Sequence, residues 1–524
     1  QTIEEIAART FRSRGGRRAT SSGLRNFVLD RTNAGHTFLL RKAKERILAR
    51  TKGKYPAPLA ILDVVGTGMD KGPRRGYEAE ARAFGQLARS VTARHLMQLF
   101  FSANTAKKDP LSTPSGTPLR SFERLGIVGA GSMGIGLAAQ ILHRRALPLQ
   151  VHDLQTGNLT RCLAAVDQYL GQQVALSRLP RHRLPLLRGL LSTTTSYEGF
   201  RHADLIFEAV PEELGLKREV LHELEQVNQG RAVLASCTSS LPIKHLVPDL
   251  AHPEQVLGMH FCSPVATVQL LEVVRRDENP AELVRSAVAF GRTLGKHVIV
   301  VNDGAGFYTS RCLAAYLNEA AHLFFEGYRV EDLDKTMLEW GFPVGPMSLL
   351  DELGLDLATR TIQLLHQTFG TRMEPPEGWD LLLTDGRLGR KALKGFYTYS
   401  RKRGKTGRVD PTVYNLRPPT VTTLRNPDLV TVTRRLVLAF VNEAMHCFHD
   451  GTLRTPSDGD LGAVFGVGFP AYLGGPFSYL DHCGAARVVG ELDDLANRFG
   501  DRFRPSQILC DSARAGATFH GARS

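Results

Sequence analysis

The chain has 524 residues, 42% hydrophobic and 23% charged, which supports a buried core, excludes global disorder, and suggests three or four domains at roughly 150 residues each. No apolar run of about 18 residues occurs, so no membrane span is expected. The seven cysteines show no CxxC and no His/Cys ligand spacing, which excludes a disulfide-dense scaffold and a zinc-finger site, leaves no metal expected, and fits a reducing compartment.

Charge is concentrated at the start. The net charge is 66 − 52 = +14, and residues 1–54 hold 14 basic and 4 acidic side chains, or +10 of it. The nearly neutral remainder makes nucleic acid an unexpected partner. The basic head is either a solvated helical face or a surface for anionic lipid or an acidic partner. The sequence opens on Gln1, as a processed chain or a piece of a longer product would, and segment 9–25 has the Arg/Ser-rich, acid-free composition of an organelle transit peptide.

Residues 36–50 read as a basic amphipathic helix with Leu40, Ala43, Ile47 and Leu48 near one face, expected to pack rather than lie open. A Pro-punctuated turn leads into a second helix, 76–103 reads as one further helix, and 104–118 is a Ser/Thr/Pro linker. From residue 125 short β-rich runs alternate with helical stretches: 125–131, 149–153, 204–210, 232–236, 257–262, 269–274 and 297–301. That alternation predicts a doubly wound parallel sheet ending near Asp303. The rest reads as helical, apart from a loop at 401–428. It repeats itself: Arg311, Asn318-Glu319-Ala320, Gly341-Phe342-Pro343, Gly345-Pro346 and Asp351 recur as Arg435, Asn442-Glu443-Ala444, Gly468-Phe469-Pro470, Gly475-Pro476 and Asp481, with the offset growing only from 124 to 130. Two copies of one helical domain are expected.

Gly129-Ala130-Gly131-Ser132-Met133-Gly134 follows a strand and opens a helix, and Asp153 ends the next strand 24 residues after Gly129. In that context the loop reads as a dinucleotide cradle. Gly129 permits the turn, Gly131 lets the backbone approach the pyrophosphate, Gly134 allows close packing, and the helix start with Ser132 and Met133 faces the phosphates. Asp153 would accept from the ribose hydroxyls and repel a 2′-phosphate, so NAD is expected over NADP. His260 and Glu272 stand 12 residues apart on strand-like segments that a hairpin or crossover could join. A carboxylate on one ring nitrogen would fix the tautomer and raise the basicity of the other, giving a base for a hydroxyl proton. The same two residues at strand ends could equally be structural.

Long motifs carry a family resemblance: GAGSMG, EAVPEELGLK (208–217), CTSSLPI (237–243), GMHFCSPVATVQLLEVV (258–274), DGAGFYTSRCLA (303–314), GFPVGP (341–346), LGRKALKGFY (388–397) and GDLGAVFGVGFPAYLGGPFSYLD (459–481). They resemble L-3-hydroxyacyl-CoA dehydrogenase, and more closely the dehydrogenase part of the mitochondrial trifunctional fatty-acid oxidation α-subunit. The resemblance implies a Rossmann-type NAD-binding domain at 119–303 and two repeated all-α dehydrogenase C-terminal domains at 304–400 and 429–524. A basic, Pro-containing linker at 401–428 would separate the two, and residues 1–118 would be the helices trailing a hydratase core that precedes them in the family. It also implies NAD-dependent oxidation of an acyl-CoA substrate, with His260 as base and Glu272 as its orienting partner. Ser239 would bind the substrate 3-oxygen, Ser310 would lie near the thioester, and Glu212 and Lys217 would lie on the cofactor side. No hydratase activity is expected of this chain. Partners implied are a thiolase β-subunit, a separate hydratase chain and anionic inner-membrane lipid at the basic head, in the mitochondrial matrix. Departures are Cys237 for the family Asn, Ala305 for Pro, and Ser263 for the Asn of single-function members. The truncated front and Cys237 motivate a rival reading, a structural subunit that keeps the fold without the activity.

Overall fold

The computed structural model describes residues 32–106, 119–400 and 407–521. The expectations for segment 9–25 and for most of the basic head therefore lie outside the described residues. The chain divides into two units, 1–94 and 95–524.

In the first unit, α1 (Asn33–Thr51) is capped by the Thr32 hydroxyl, which accepts from the Gly35 N–H at 3.0 Å. Helices α2 (Pro56–Lys71) and α3 (Pro73–Ala88) each begin at a proline, where the missing N–H costs nothing. They meet at Gly76 and Gly68, where an added Cβ on Gly76 would lie 3.0 Å from the Gly68 Cα. Leu40, Ala43 and Ile47 are half-buried, with Leu40 reaching the Gly66 surface of α2. Leu48, expected on the same face, is exposed with Phe38 and Leu39. The single helix expected over 76–103 is two: α3 ends at Ala88, and α4 (Val91–Ala106) starts after Ser90. Ser90 breaks the run because its hydroxyl donates back to the Leu87 carbonyl at 2.7 Å and accepts from the Ala93 N–H at 3.1 Å. No helix among the described residues is long and apolar enough to cross a membrane.

The second unit is built on an eight-stranded sheet: β1 (Leu125–Val128), β2 (Leu149–His152), β3 (Leu191–Thr194), β4 (Leu205–Glu208), β5 (Val233–Ser236), β6 (Val256–Phe261), β7 (Leu270–Arg275) and β8 (His297–Asn302), in the order β3-β2-β1-β4-β5-β6-β7-β8. Helices α5 (Ser132–Arg145), α6 (Thr156–Ala175), α7 (Leu184–Gly189), α8 (Leu214–Asn228) and α9 (Ala281–Thr293) connect the strands. Two features differ from the sequence expectation. Strand β3 was not anticipated, since LSTT is a short, half-exposed edge strand with little apolar signal. The sheet is also not wholly parallel: β6 and β7 pair antiparallel, because residues 262–269 between them are too few for a crossover helix and close a hairpin instead.

Helices α10 (Thr309–Phe325), α11 (Val330–Trp340), α12 (Pro346–Leu353), α13 (Leu355–Phe369) and α14 (Trp379–Thr384) come next. The short strands β9 (Tyr397–Thr398) and β10 (Arg408–Val409) pair antiparallel. The stretch after them is anchored, since the buried Arg387 donates to Asp410 at 2.9 Å and to Thr412 at 2.6 Å. Then come α15 (Leu429–His449), α16 (Pro456–Gly462), α17 (Pro476–Cys483), α18 (Ala485–Phe499) and α19 (Gln507–Ala515). The long helices α10 and α15 exchange buried ion pairs. Arg311 of α10 binds Glu443 of α15 at 2.5 Å, and Arg435 of α15 binds Glu319 of α10 at 2.5 Å. Each guanidinium lies over a phenyl ring, Arg311 on Phe369 at 4.2 Å and Arg435 on Phe499 at 4.1 Å. Removing one partner strands a buried charge. Arg435→Met is therefore expected to cost about 3–5 kcal/mol, read from denaturant unfolding, and a midpoint equal to that of the unmodified chain would contradict this.

Candidate active site

Strands β1, β4, β5 and β6 run parallel, so the segments leaving their carboxyl ends gather at one edge of the sheet. That edge is where open α/β sheets bind ligands. After β1 comes the glycine loop, after β4 Glu212, after β5 Ser239, and His260 lies in the last two residues of β6.

At Gly129 φ is +106°, and an added Cβ would lie 2.5 Å from the Ala209 carbonyl oxygen. A Cβ on Gly134 would overlap the Gly129 carbonyl, so a side chain at either position displaces the loop. Gly131 faces open space, which lets a pyrophosphate come up to the backbone. Ser132 is exposed on the first turn of α5, and Met133 is half-buried against the core. The Asp153 carboxylate accepts from the Ala130 N–H at 3.0 Å, the Gln155 N–H at 2.9 Å and the Asn158 amide at 2.9 Å. Burial pushes its carboxyl up, but these donors outweigh it and hold it below the usual carboxylate range. A fixed anion at the end of β2 and an open glycine cradle fit NAD.

Glu212, Lys217 and Ser239 come together in one network. Glu212 accepts from the Thr238 hydroxyl at 2.6 Å, the Ser239 N–H at 3.0 Å and hydroxyl at 3.3 Å, and the Ser240 N–H at 3.1 Å. Burial would raise its carboxyl, and Lys217 with these donors holds it low. Lys217 is 1% exposed and is paired with Glu208 at 2.8 Å and Glu212 at 3.4 Å. It thus braces the network through the two glutamates. Glu208, which sequence reasoning missed, also accepts from the Ser236 hydroxyl at 2.6 Å; its signal was an acid closing an otherwise apolar strand. Burial and the two glutamates push the Cys237 thiol up, so it stays protonated beside this network.

His260 and Glu272 are direct register partners in the β6–β7 hairpin. Both are buried, and the imidazole Nδ1 donates to Glu272 Oε2 at 2.5 Å, because an ionised carboxylate can only accept. Nε2 is left as the nitrogen facing away from Glu272. The carboxylate is also held by the start of α10: Oε1 accepts from the Tyr308 N–H at 3.3 Å and the Thr309 N–H at 3.0 Å, and Oε2 accepts from the Thr309 hydroxyl. Tyr308 and Thr309 were not singled out in the sequence; their signal was the helix start immediately before Ser310. Ser310 is half-buried on the same turn. The hairpin connection packs on α5, where a Cβ at Gly136 would lie 3.2 Å from Val265. The loop carrying Ser239 is tied to the segment leading into α10, since Asp303 accepts from the Ile243 and Lys244 N–H groups at 2.7 Å. Among the described residues, no cluster of three or more His, Cys, Asp or Glu could hold a metal.

The chain is similar to known proteins along most of its length. Residues 124–304 match the 3-hydroxyacyl-CoA dehydrogenase NAD binding domain, and 306–399 match the 3-hydroxyacyl-CoA dehydrogenase C-terminal domain. The fatty acid oxidation complex subunit alpha of a Shewanella species is 39% identical over 497 residues, covering 94% of this chain and 69% of the relative. The chain belongs to the fatty acid oxidation complex α-subunit family. It is an NAD-binding 3-hydroxyacyl-CoA dehydrogenase of fatty acid oxidation. The fold is shared with Escherichia coli 3-hydroxybutyryl-CoA dehydrogenase (22% identity, TM-score 0.64, 76% of this chain and 99% of that one). It is also shared with (S)-3-hydroxybutyryl-CoA dehydrogenase from Ralstonia eutropha (29% identity, TM-score 0.51, 54% and 100%). These relatives are bacterial, and they support the fatty acid oxidation family without the mitochondrial trifunctional branch.

In this dehydrogenase Asp153 is expected to favour NAD over NADP by roughly two orders of magnitude, the effect of a few kcal/mol of like-charge repulsion. Asp153→Ala should narrow that gap in calorimetric titrations, and equal binding of both dinucleotides by the unmodified chain would refute the assignment.

Proposed function

We propose that His260 is the general base of the dehydrogenase and that Glu272 orients it. The observation that carries this is the buried Nδ1–carboxylate hydrogen bond at the sheet edge where the glycine loop also lies. With Nδ1 held as donor, Nε2 is the acceptor for the proton of the substrate 3-hydroxyl. NAD, when bound, accepts the hydride from the carbinol carbon. Gly129, Gly131, Ser132, Met133 and Gly134 hold its pyrophosphate, Asp153 holds its ribose, and Glu212 borders it. Lys217 acts through Glu212. Ser239 binds the 3-oxygen; its present bond to Glu212, at 3.3 Å, is long enough to exchange for substrate. Ser310 lies near the thioester. The product is the 3-ketoacyl-CoA.

The proposed domain plan is a first region 1–118, helical over its described residues, an NAD-binding 119–303, and two copies of one helical domain, 304–400 and 429–524, around the linker 401–428. The reciprocal Arg311–Glu443 and Arg435–Glu319 pairs support the two copies. So do matching carboxylates: Asp334 accepts from the Met347 and Ser348 N–H groups as Asp460 does from those of Phe477 and Ser478. Asp351 accepts from Phe396 and Tyr397 as Asp481 does from Phe519 and His520. A thiolase partner and a mitochondrial matrix location with anionic inner-membrane lipid at the basic head complete the proposal. Family membership motivates the thiolase partner, the motif resemblance motivates the location, and the +10 of residues 1–54 motivates the lipid contact, which salt-sensitive sedimentation with anionic vesicles tests.

His260→Gln is expected to lower kcat for NADH formation from an (S)-3-hydroxyacyl-CoA by several orders of magnitude, more than the roughly 10²–10⁴-fold of an isolated acid–base contribution, while NAD binding is retained. Glu272→Gln should cost less, because the imidazole remains but is loosely held. An unchanged rate in His260→Gln would remove the assignment. No NADH from the unmodified chain would favour the structural-subunit reading.

A further inference from the structure

Glu272 Oε2 has two partners, the imidazole Nδ1–H and the Thr309 hydroxyl. With the two N–H groups on Oε1, four donors converge on one carboxylate, which offers about four lone-pair sites. Any residue at 308 and 309 other than proline supplies the backbone donors. The Thr309 hydroxyl is the only side-chain donor to Glu272, other than the imidazole, among the described residues, and Thr309 is itself 1% exposed.

We propose that Thr309 is a positioning residue of the dehydrogenase: its hydroxyl fixes the Glu272 carboxylate against rotation, so the imidazole that the carboxylate holds keeps its Nε2 in place. This rests on the His260–Glu272 reading above. The physical argument is orientation: a carboxylate met by donors on both oxygens cannot turn about its last bond, and the imidazole hydrogen-bonded to it cannot turn either.

The other titratable groups around the pair do not supply this contact. Just after β6 the half-buried Cys262 thiol is pushed up by burial to about 12, stays protonated, and shares a hydrogen bond with the Thr309 side chain. Ahead of α10 the Tyr308 phenol, also raised by burial, donates to the Gly459 carbonyl at 2.8 Å. Beyond it Asp460 is occupied by His520 at 2.8 Å, Ser478 and Phe477. Ahead of β8, Lys296 is lowered by burial to about 8 and donates to the Val265 and Val268 carbonyls of the hairpin connection.

Thr309 also presents a methyl toward the segment 463–467, where a Cβ on Gly466 would lie 3.2 Å from Thr309 Cγ2. The two halves of the side chain therefore have separable roles, and three substitutions separate them. Thr309→Ser keeps the hydroxyl, Thr309→Val keeps the methyl, and Thr309→Ala keeps neither. The experiment measures kcat and KM for NADH formation from an (S)-3-hydroxyacyl-CoA across pH with the full chain, together with melting temperature. Glu272→Gln is run alongside. The expected result is a kcat about tenfold lower in Thr309→Val and Thr309→Ala, the scale of one charge-assisted hydrogen bond. KM for NAD should be unchanged in both. Thr309→Ser should restore the rate. If Val does not fold, the Ala and Ser pair still differs only by the hydroxyl. Normal rates in Val with a deficit in Ser would assign Thr309 to methyl packing and overturn the proposal. Normal rates in all three, beside an impaired Glu272→Gln, would overturn it while leaving the dyad standing. An unimpaired Glu272→Gln would remove the dyad and the proposal together.

Discussion

Glu272 is fully buried, and a carboxylate out of water is costly unless every lone pair is met. Its donors come from two parts of the chain: the imidazole of the neighbouring strand, and the first turn of α10. Strand β7 belongs to the sheet and α10 to the helical region, so the charge that orients His260 also joins the NAD-binding part to the carboxyl-terminal helices. Buried charge continues along α10, whose Arg311 and Glu319 are paired with Glu443 and Arg435 on α15. The site is thus anchored to both long helices of the carboxyl-terminal half, and the second of them, though remote from His260 in sequence, helps to hold α10 where Glu272 needs it.

The sheet supplies the other constraint. Four parallel strands deliver the glycine loop, Glu212, Ser239 and His260 to one edge, and the single antiparallel pair places Glu272 opposite His260. A crossover between β6 and β7 would have run β7 parallel and taken it out of this register. The short hairpin therefore creates the pair. The Glu208–Lys217–Glu212 cluster plays a similar part for Ser239. It buries one cation between two anions and leaves one carboxylate oxygen to organise three successive residues, Thr238, Ser239 and Ser240.

Much of this is legible in the residues. Gly129 and Gly134 declare themselves through spacing between a strand and a helix, and seven of the eight strands announce themselves as apolar runs. The eighth, β3, does not, because LSTT lies half-exposed at the edge and carries no apolar signal. The His260–Glu272 spacing admits a hairpin or a crossover, and only the number of intervening residues, weighed against the length of a crossover, decides between them. The break at Ser90 was missed because the apolar pattern continues across it while a single hydroxyl caps the second helix. Lys217 shows the limit of motif transfer. The family pattern marks the position, but only burial reveals that the ammonium faces Glu208 and Glu212. Thr309 stands inside the motif at 303–314, but its hydroxyl's contact with Glu272 is tertiary and the motif does not reveal it.

The most direct test of the imidazole–carboxylate pair is proton NMR of the full chain in the far-downfield region where strongly hydrogen-bonded imidazole protons resonate. A short Nδ1–H bond to a buried carboxylate predicts a resonance in the unmodified dehydrogenase that vanishes in His260→Gln and moves sharply upfield in Glu272→Gln. Absence of any such resonance across the pH range in which the enzyme is active, or one that persists unchanged in Glu272→Gln, would contradict the account.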